Sequence, residues 1–282
     1  MPNVSSDSGQ RDDLYQHHFD DVVDIDHSKK QGPRPLDFIL EFPRIMFEVS
    51  TLSVAWWPLL NEAPKADPHP VMVLPGFGAG DESTLLLRRF LSRLGYQPLP
   101  WLQGLNTGNP AKLEGVMRRF FRTQQALGVP ISLIGQSLGG VFSREIAREF
   151  PHAVRSVVTL GSPYAATNSG STNPMVEKLF ERLSGLTVEE MRAQLPEERQ
   201  QTPLTMPATS IYSKEDGVVA WQTCIEPETE LSENIRVLGS HSGMAMHTDV
   251  LRVIADRLAQ DPNDWQKFDK KQGCRRFRYP RS

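Results

Sequence analysis

From residue 70 onward, short apolar runs alternate with longer stretches of helical periodicity. Val71-Met72-Val73-Leu74 reads as a buried strand that ends in the turn Pro75-Gly76-Phe77-Gly78-Ala79-Gly80. Leu85, Leu86, Phe90, Leu91 and Leu94 then recur at helical spacing, with Asp81 as the expected cap and Gly95 as the stop. Gln97 to Gln103 predicts a ragged strand, and Pro110 opens a helix running to about Leu127. Further strands are expected at Ile131 to Ile134, Ser156 to Leu160, Ala208 to Tyr212 and Ile235 to Leu238. A last helix runs from about Met246 to Leu258. This alternation is the pattern of a parallel sheet covered by helices.

The rhythm breaks between Gly161-Ser162-Pro163 and Ala208, where two helical pieces intervene, Val176 to Leu183 and Val188 to Leu195. Thr187 and Glu190 have capping-box spacing at the start of the second. Inserted above the carboxyl ends of the strands, these pieces form a cap that contacts substrate or a rigid excursion. Ahead of the alternating part, Leu36 to Leu60 is apolar and aromatic but carries Glu41, Pro43, Arg44 and Glu48. Those charges argue against a membrane span and leave two readings: a helix packed on the domain, or an interfacial helix touching lipid. The expected organisation is an acidic, disordered tail over residues 1–34, an apolar helical segment over 35–65, a core over 66–262 with its cap at about 165–206, and a solvated basic tail over 263–282.

At 282 residues and a formal net charge of −3, the chain has room for one large α/β domain and gives no reason to expect nucleic acid as a partner. Cys224 and Cys274 are the only cysteines, which suits a reducing compartment, and the start lacks the basic-then-apolar order of a secretory signal. A cytoplasmic location follows as an expectation, with peripheral membrane contact through the 36–60 segment as the variant. His17, His18, Asp20 and His27 look superficially like metal ligands, but a solvated acidic tail is the plainer reading.

The chemistry enters at Gly135-Gln136-Ser137-Leu138-Gly139, between the strand at 131–134 and a helix whose apolar side is Val141, Phe142, Ile146, Ala147 and Phe150. The motif alone arises by chance in roughly one chain in ten of this size. Its place between strand and helix gives it weight, because a serine on that sharp turn is exposed as a nucleophile. Such a serine needs a base and an orienting acid, in the chain order serine, acid, histidine. Asp216 follows one late strand, with Glu215 as its neighbour and rival, and Asp-Gly is the better turn chemistry. His241 follows the last strand in a small-residue loop, with His247 as rival near the start of the final helix. The oxyanion hole needs two backbone N–H groups, expected from Leu138 and from Phe77 in the Gly-rich turn. That turn matches no phosphate-binding motif.

Leu74-Pro75-Gly76-Phe77-Gly78, Gly135 to Gly140, Leu160-Gly161-Ser162-Pro163, Ser213 to Val218 and Gly239 to Gly243 together resemble the lipase and esterase branch of the α/β-hydrolase family, bacterial lipases in particular. The likeness covers residues 71 to about 260, with Pro75 and Gln136 where the family often carries histidine. It implies an α/β-hydrolase fold: a mostly parallel sheet with helices on both faces and a small helical cap insertion. It also implies triad roles for Ser137, Asp216 and His241, and oxyanion amides from Phe77 and Leu138. The expected activity is hydrolysis of a small-molecule ester or lipid through an acyl-enzyme, with no metal and no organic cofactor. Acyltransferase and thioesterase chemistry on the same triad stay open, as does a non-catalytic protein that binds a lipid or partner. Candidate substrate-binding residues are Gln136 and, in the insertion, Met175, Leu179 and Leu183. The last three equally suit the insertion's own packing face.

Overall fold

Val71 to Leu74 and Ile131 to Gln136 are buried at every position, as parallel strands covered on both faces must be. The computed structural model describes residues 32–64, 67–165, 170–193, 202–270 and 275–280. The acidic tail, its histidines and Cys274 lie outside the described residues. The strands are β1 (Pro70–Leu74), β2 (Gln97–Leu99), β3 (Ile131–Gln136), β4 (Val154–Leu160), β5 (Ala208–Ser213) and β6 (Ser232–Val237). The helices are α1 (Pro35–Glu62), α2 (Leu85–Arg93), α3 (Pro110–Leu127), α4 (Leu138–Glu149), α5 (Pro174–Ser184), α6 (Val188–Ala193), α7 (Thr248–Leu258) and the short α8 (Arg275–Arg278).

All six strands run parallel in the order β2-β1-β3-β4-β5-β6. Alternate side chains split the core in two. Val71, Val73, Ile134, Val158 and Ile211 pack with α1, α2 and α7 on one face. Met72, Leu74, Ile131, Leu133 and Val157 pack with α3 and α4 on the other. The chain leaves β1 toward β2 and returns to β3 on the opposite side, so the strand order reverses between β1 and β3. In an open α/β sheet that reversal opens a crevice at the carboxyl ends of the strands.

The cap insertion sits between β4 and β5. Asn173 caps α5 by accepting from the Met175 N–H at 3.0 Å, and Gly185, at φ 77°, ends it. Thr187 and Glu190 form the expected reciprocal box at the start of α6. A bridge from Thr172 to Val219, with Asn173 N–H donating to Val218 at 2.7 Å, stitches the cap to the loop after β5.

Three expectations are corrected. Asp81 does not cap α2, which begins at Leu85; its carboxylate accepts the N–H groups of Trp101 and Leu102 at 2.8 and 3.0 Å. That grip, with Pro98 and Pro100 unable to donate to a ladder, shortens the strand expected over 97–103 to Gln97–Leu99. The basic tail is only partly solvated where it is described: Phe268 and Tyr279 are buried edge-to-face, and Arg275 and Arg278 pair with Asp256 and Asp249.

Helix α1 is turned inside out along its first half. Its buried residues include Asp37, Glu41 and Glu48, and only Leu52 and Leu59 of its apolar side chains are fully covered. Phe42, Phe47 and Trp57 are 70%, 72% and 64% exposed. No described helix is long and apolar enough to cross a membrane.

Candidate active site

Ser137 joins β3 to α4 with φ 51° and ψ −123°, a positive-φ conformation that a residue with a side chain adopts only when its surroundings force it. The forcing is local. A Cβ on Gly135 would collide with the Gly139 carbonyl, and one on Gly139 would collide with the carbonyl of Leu74. The Ser137 N–H donates to Leu160 across the sheet at 2.8 Å, which fixes the turn from the other side.

Asp216 and His241 meet at Gly161, where an added Cβ would lie 3.1 Å from His241 Nδ1 and 3.3 Å from Asp216 Oδ2. Asp216 Oδ2 lies 2.6 Å from His241 Nδ1, and its Oδ1 accepts the N–H groups of Val218 and Val219, both at 2.8 Å. With a carboxylate as partner, Nδ1 carries the proton and neutral His241 keeps a lone pair on Nε2 for proton transfer. Both rivals are occupied elsewhere. Glu215 pairs with Arg236 at 3.0 Å and with the Ser213 hydroxyl, while His247 caps α7 and donates from Nε2 to Leu238.

The turn after β1 backs onto the serine: a Cβ on Gly76 would lie 3.3 Å from the Ser137 Cβ. Asn106, fully buried, pins that turn by donating to the Pro75 carbonyl at 2.9 Å and accepting from Gly78 N–H at 2.8 Å. Nothing in the sequence around Asn106 marks it for this role. Phe77 and Leu138 line an apolar cavity of about 80 Å³ together with Ser137, Val141, Tyr164, Val176, Phe180, Val188, Met191 and Val219. As the first residue of α4, Leu138 also has an N–H with no partner inside its own helix.

The substrate-contact candidates fall differently. Met175, Leu179 and Leu183 are 68%, 48% and 40% exposed on the outer side of α5, and Val176 and Phe180 face the cavity instead. The helical period decides this: residues four apart share a face, and that face points away. Gln136 is buried outside the cavity lining and donates from Nε2 to the carbonyls of His241 and Ser242 at 3.0 and 3.2 Å.

No protein-family model matches the chain, and no curated protein does. Among solved structures it is similar to Aspergillus fumigatus lipase B, at 15% identity and TM-score 0.53 over 69% of this chain and 53% of that one. It is similar to Paleococcus ferrophilus monoacylglycerol lipase, at 14% identity and TM-score 0.51 over 68% and 96%. A serine hydrolase from Cycloclasticus zankles gives 13% identity and TM-score 0.53 over 70% and 92%. The chain has the α/β-hydrolase fold. It spans about half the length of the Aspergillus lipase.

On this α/β-hydrolase fold the histidine loop is held from two sides. Gln136 grips its carbonyls, and Glu41 of α1 accepts the N–H groups of His241 at 2.9 Å and Ser242 at 3.1 Å. Glu48 accepts the Ser240 N–H and hydroxyl, both at 2.6 Å. Burial alone would push the His241 imidazole down, but the charge and hydrogen bond of Asp216, with the charge of Glu41 behind them, outweigh it and raise its pKa. Burial pushes the Glu48 carboxyl up, against the two donors from Ser240. Glu41 and Glu48 read in the sequence only as interruptions of an apolar segment. The signal that could have found them is their spacing, seven residues apart on one helical face.

Proposed function

We propose that this protein is a serine hydrolase of carboxylic esters with an apolar acyl group. The observation that carries the reading is the 2.6 Å Asp216–His241 pair, its histidine loop gripped by Gln136 next to the positive-φ Ser137, which opens on an apolar cavity. Ser137 Oγ attacks the ester carbonyl as His241 Nε2 takes its proton. The N–H groups of Phe77 and Leu138 receive the developing oxyanion. The tetrahedral intermediate collapses, His241 protonates the leaving alcohol, and the acyl group stays on Ser137. Water activated by His241 then releases the acid and restores the serine. Asp216 keeps the proton on Nδ1 and stabilises the imidazolium throughout.

The outward apolar face of α1 supports peripheral contact with a lipid surface, so lipid esters stand beside soluble ones as substrates. The test is turnover of p-nitrophenyl esters and labelling by a fluorophosphonate, for wild type beside Ser137→Ala. Both signals should vanish in the variant. Ester turnover that survives Ser137→Ala would sink the mechanism. Labelling without turnover in water would favour an acyltransferase, to be tested by adding alcohols or thiols.

A further inference from the structure

We propose that Glu41 and Glu48 are positioning residues, through which helix α1 holds the His241 and Asp216 loops in their working geometry. The inference rests on the ester-hydrolase reading of those loops. Glu41 joins both at once: Oε1 accepts the Gly217 N–H at 3.1 Å from the acid loop and the His241 N–H at 2.9 Å, while Oε2 accepts Ser242 N–H at 3.1 Å. Glu48 fixes the neighbouring residue through the Ser240 N–H and hydroxyl. A third link runs from Asp37 through Arg44 to the Glu215 carbonyl at 2.7 Å, one residue before the acid.

A helix that merely covered apolar surface would bury apolar side chains. This one buries carboxylates and leaves Phe42 and Phe47 outside. Burying a carboxylate is unfavourable unless donors satisfy it, and here the donors are backbone N–H groups of the loops that carry Asp216 and His241. The loops are shaped to admit the helix. A Cβ on Gly217 would strike the backbone at Asp37 and Phe38, and one on Gly243 would strike the Glu48 carboxylate. Glycine at both positions is therefore matched to α1 as well as to loop curvature.

The charged groups facing the imidazole are Asp216 from the loop after β5 and Glu41 from α1, with Glu48, between Glu41 and His247, further out. Neutralising Glu41 removes one of the charges that favour the imidazolium, so the proton should leave His241 at lower pH.

Full-length Glu41→Gln and Glu48→Gln would be compared with wild type on a short-chain p-nitrophenyl ester, with active sites titrated by a fluorophosphonate. The expected result is a fall in kcat per titrated site of about 10- to 100-fold for Glu41→Gln and less for Glu48→Gln. KM should stay within about threefold, and the acid limb of kcat/KM should move to lower pH in Glu41→Gln. If kcat per titrated site stays within about twofold and the acid limb does not move, the proposal is overturned. Should wild type neither turn over esters nor label, the hydrolase reading fails on its own, and NMR titration of the His241 imidazole still tests the contact. An imidazole that titrates alike in wild type and Glu41→Gln counts against it. If Glu41→Gln does not fold, amide exchange in wild type decides: Gly217, His241 and Ser242 should be protected as strongly as the backbone of α1, and rapid exchange overturns the proposal.

Discussion

Gln136 donates its side-chain amide to the carbonyl oxygens of His241 and Ser242, so the residue before Ser137 clasps the loop that carries His241. Gln136→Leu keeps the volume but leaves the buried His241 carbonyl, and the part-buried Ser242 carbonyl, without that donor. A loss of about 1–3 kcal/mol in stability is expected. Turnover should fall with it, by about tenfold, because the imidazole is less firmly placed. Urea unfolding and kcat per titrated site check both. A variant as stable and as active as wild type would mean that the clasp is incidental.

The raised pKa of His241 gives the pH dependence a definite sign. In the proposed mechanism turnover needs the neutral imidazole, so the acid limb of kcat/KM should have its midpoint above the ordinary histidine value of 6.5. Stability runs the other way. The Asp216–His241 pairing contributes fully below the unfolded value and is lost as pH rises through the raised folded value. Asp216→Asn should lower the midpoint and reduce kcat by roughly 10³- to 10⁴-fold, since the wrong tautomer then dominates. A wild-type acid limb below 6.5 would contradict the electrostatics of the pair.

The elbow could be read from sequence because everything that makes it is local: a buried strand, glycines two positions either side of Ser137, and an amphipathic helix. The pairing of Asp216 with His241 follows the expected chain order, whereas the contacts that occupy Glu215 and His247, with Arg236 for the one and Leu238 and Asp249 for the other, are not marked by any motif. The spacing of Glu41 and Glu48 marks one face of α1, but not what that face meets. Its contacts to Gly217 and His241 span 176 and 200 residues, and no local pattern encodes which loop will meet a given helix face. Periodicity did find the cap helices. It does not say which face of α5 turns inward: Val176 and Phe180 line the cavity, while Met175, Leu179 and Leu183 are exposed.

Phe180 closes the cavity against Phe77, with ring centroids 5.2 Å apart. Phe180→Ala should lengthen the space open to an acyl chain and move the preferred p-nitrophenyl ester toward longer chains. Removing a buried phenylalanine typically costs about 3–5 kcal/mol, so the profile should be taken well below the melting range. Leu179→Ala, on the outer side of the same helix, should leave the chain-length profile unchanged. An unchanged profile in Phe180→Ala would mean that the acyl group lies elsewhere.

Helix α1 presents Leu36, Ile39, Phe42, Met46, Phe47, Val54 and Trp57 to solvent, while Asp37, Glu41 and Glu48 are buried beneath it. At about 1.5 Å per residue the helix is roughly 42 Å long, enough to lie along a bilayer surface with this face in the acyl boundary. We expect wild type to float with phosphatidylcholine vesicles and the Phe42→Ser/Phe47→Ser double variant to bind at least about tenfold more weakly. Turnover of a soluble short-chain ester should be unaffected, because the inward carboxylates that hold the loops are untouched. The tryptophan emission of wild type should shift to the blue on adding vesicles, as the exposed Trp57 ring leaves water. Wild-type protein that stays with the aqueous fraction, its emission unmoved, would show that the exposed apolar face does not serve a lipid surface.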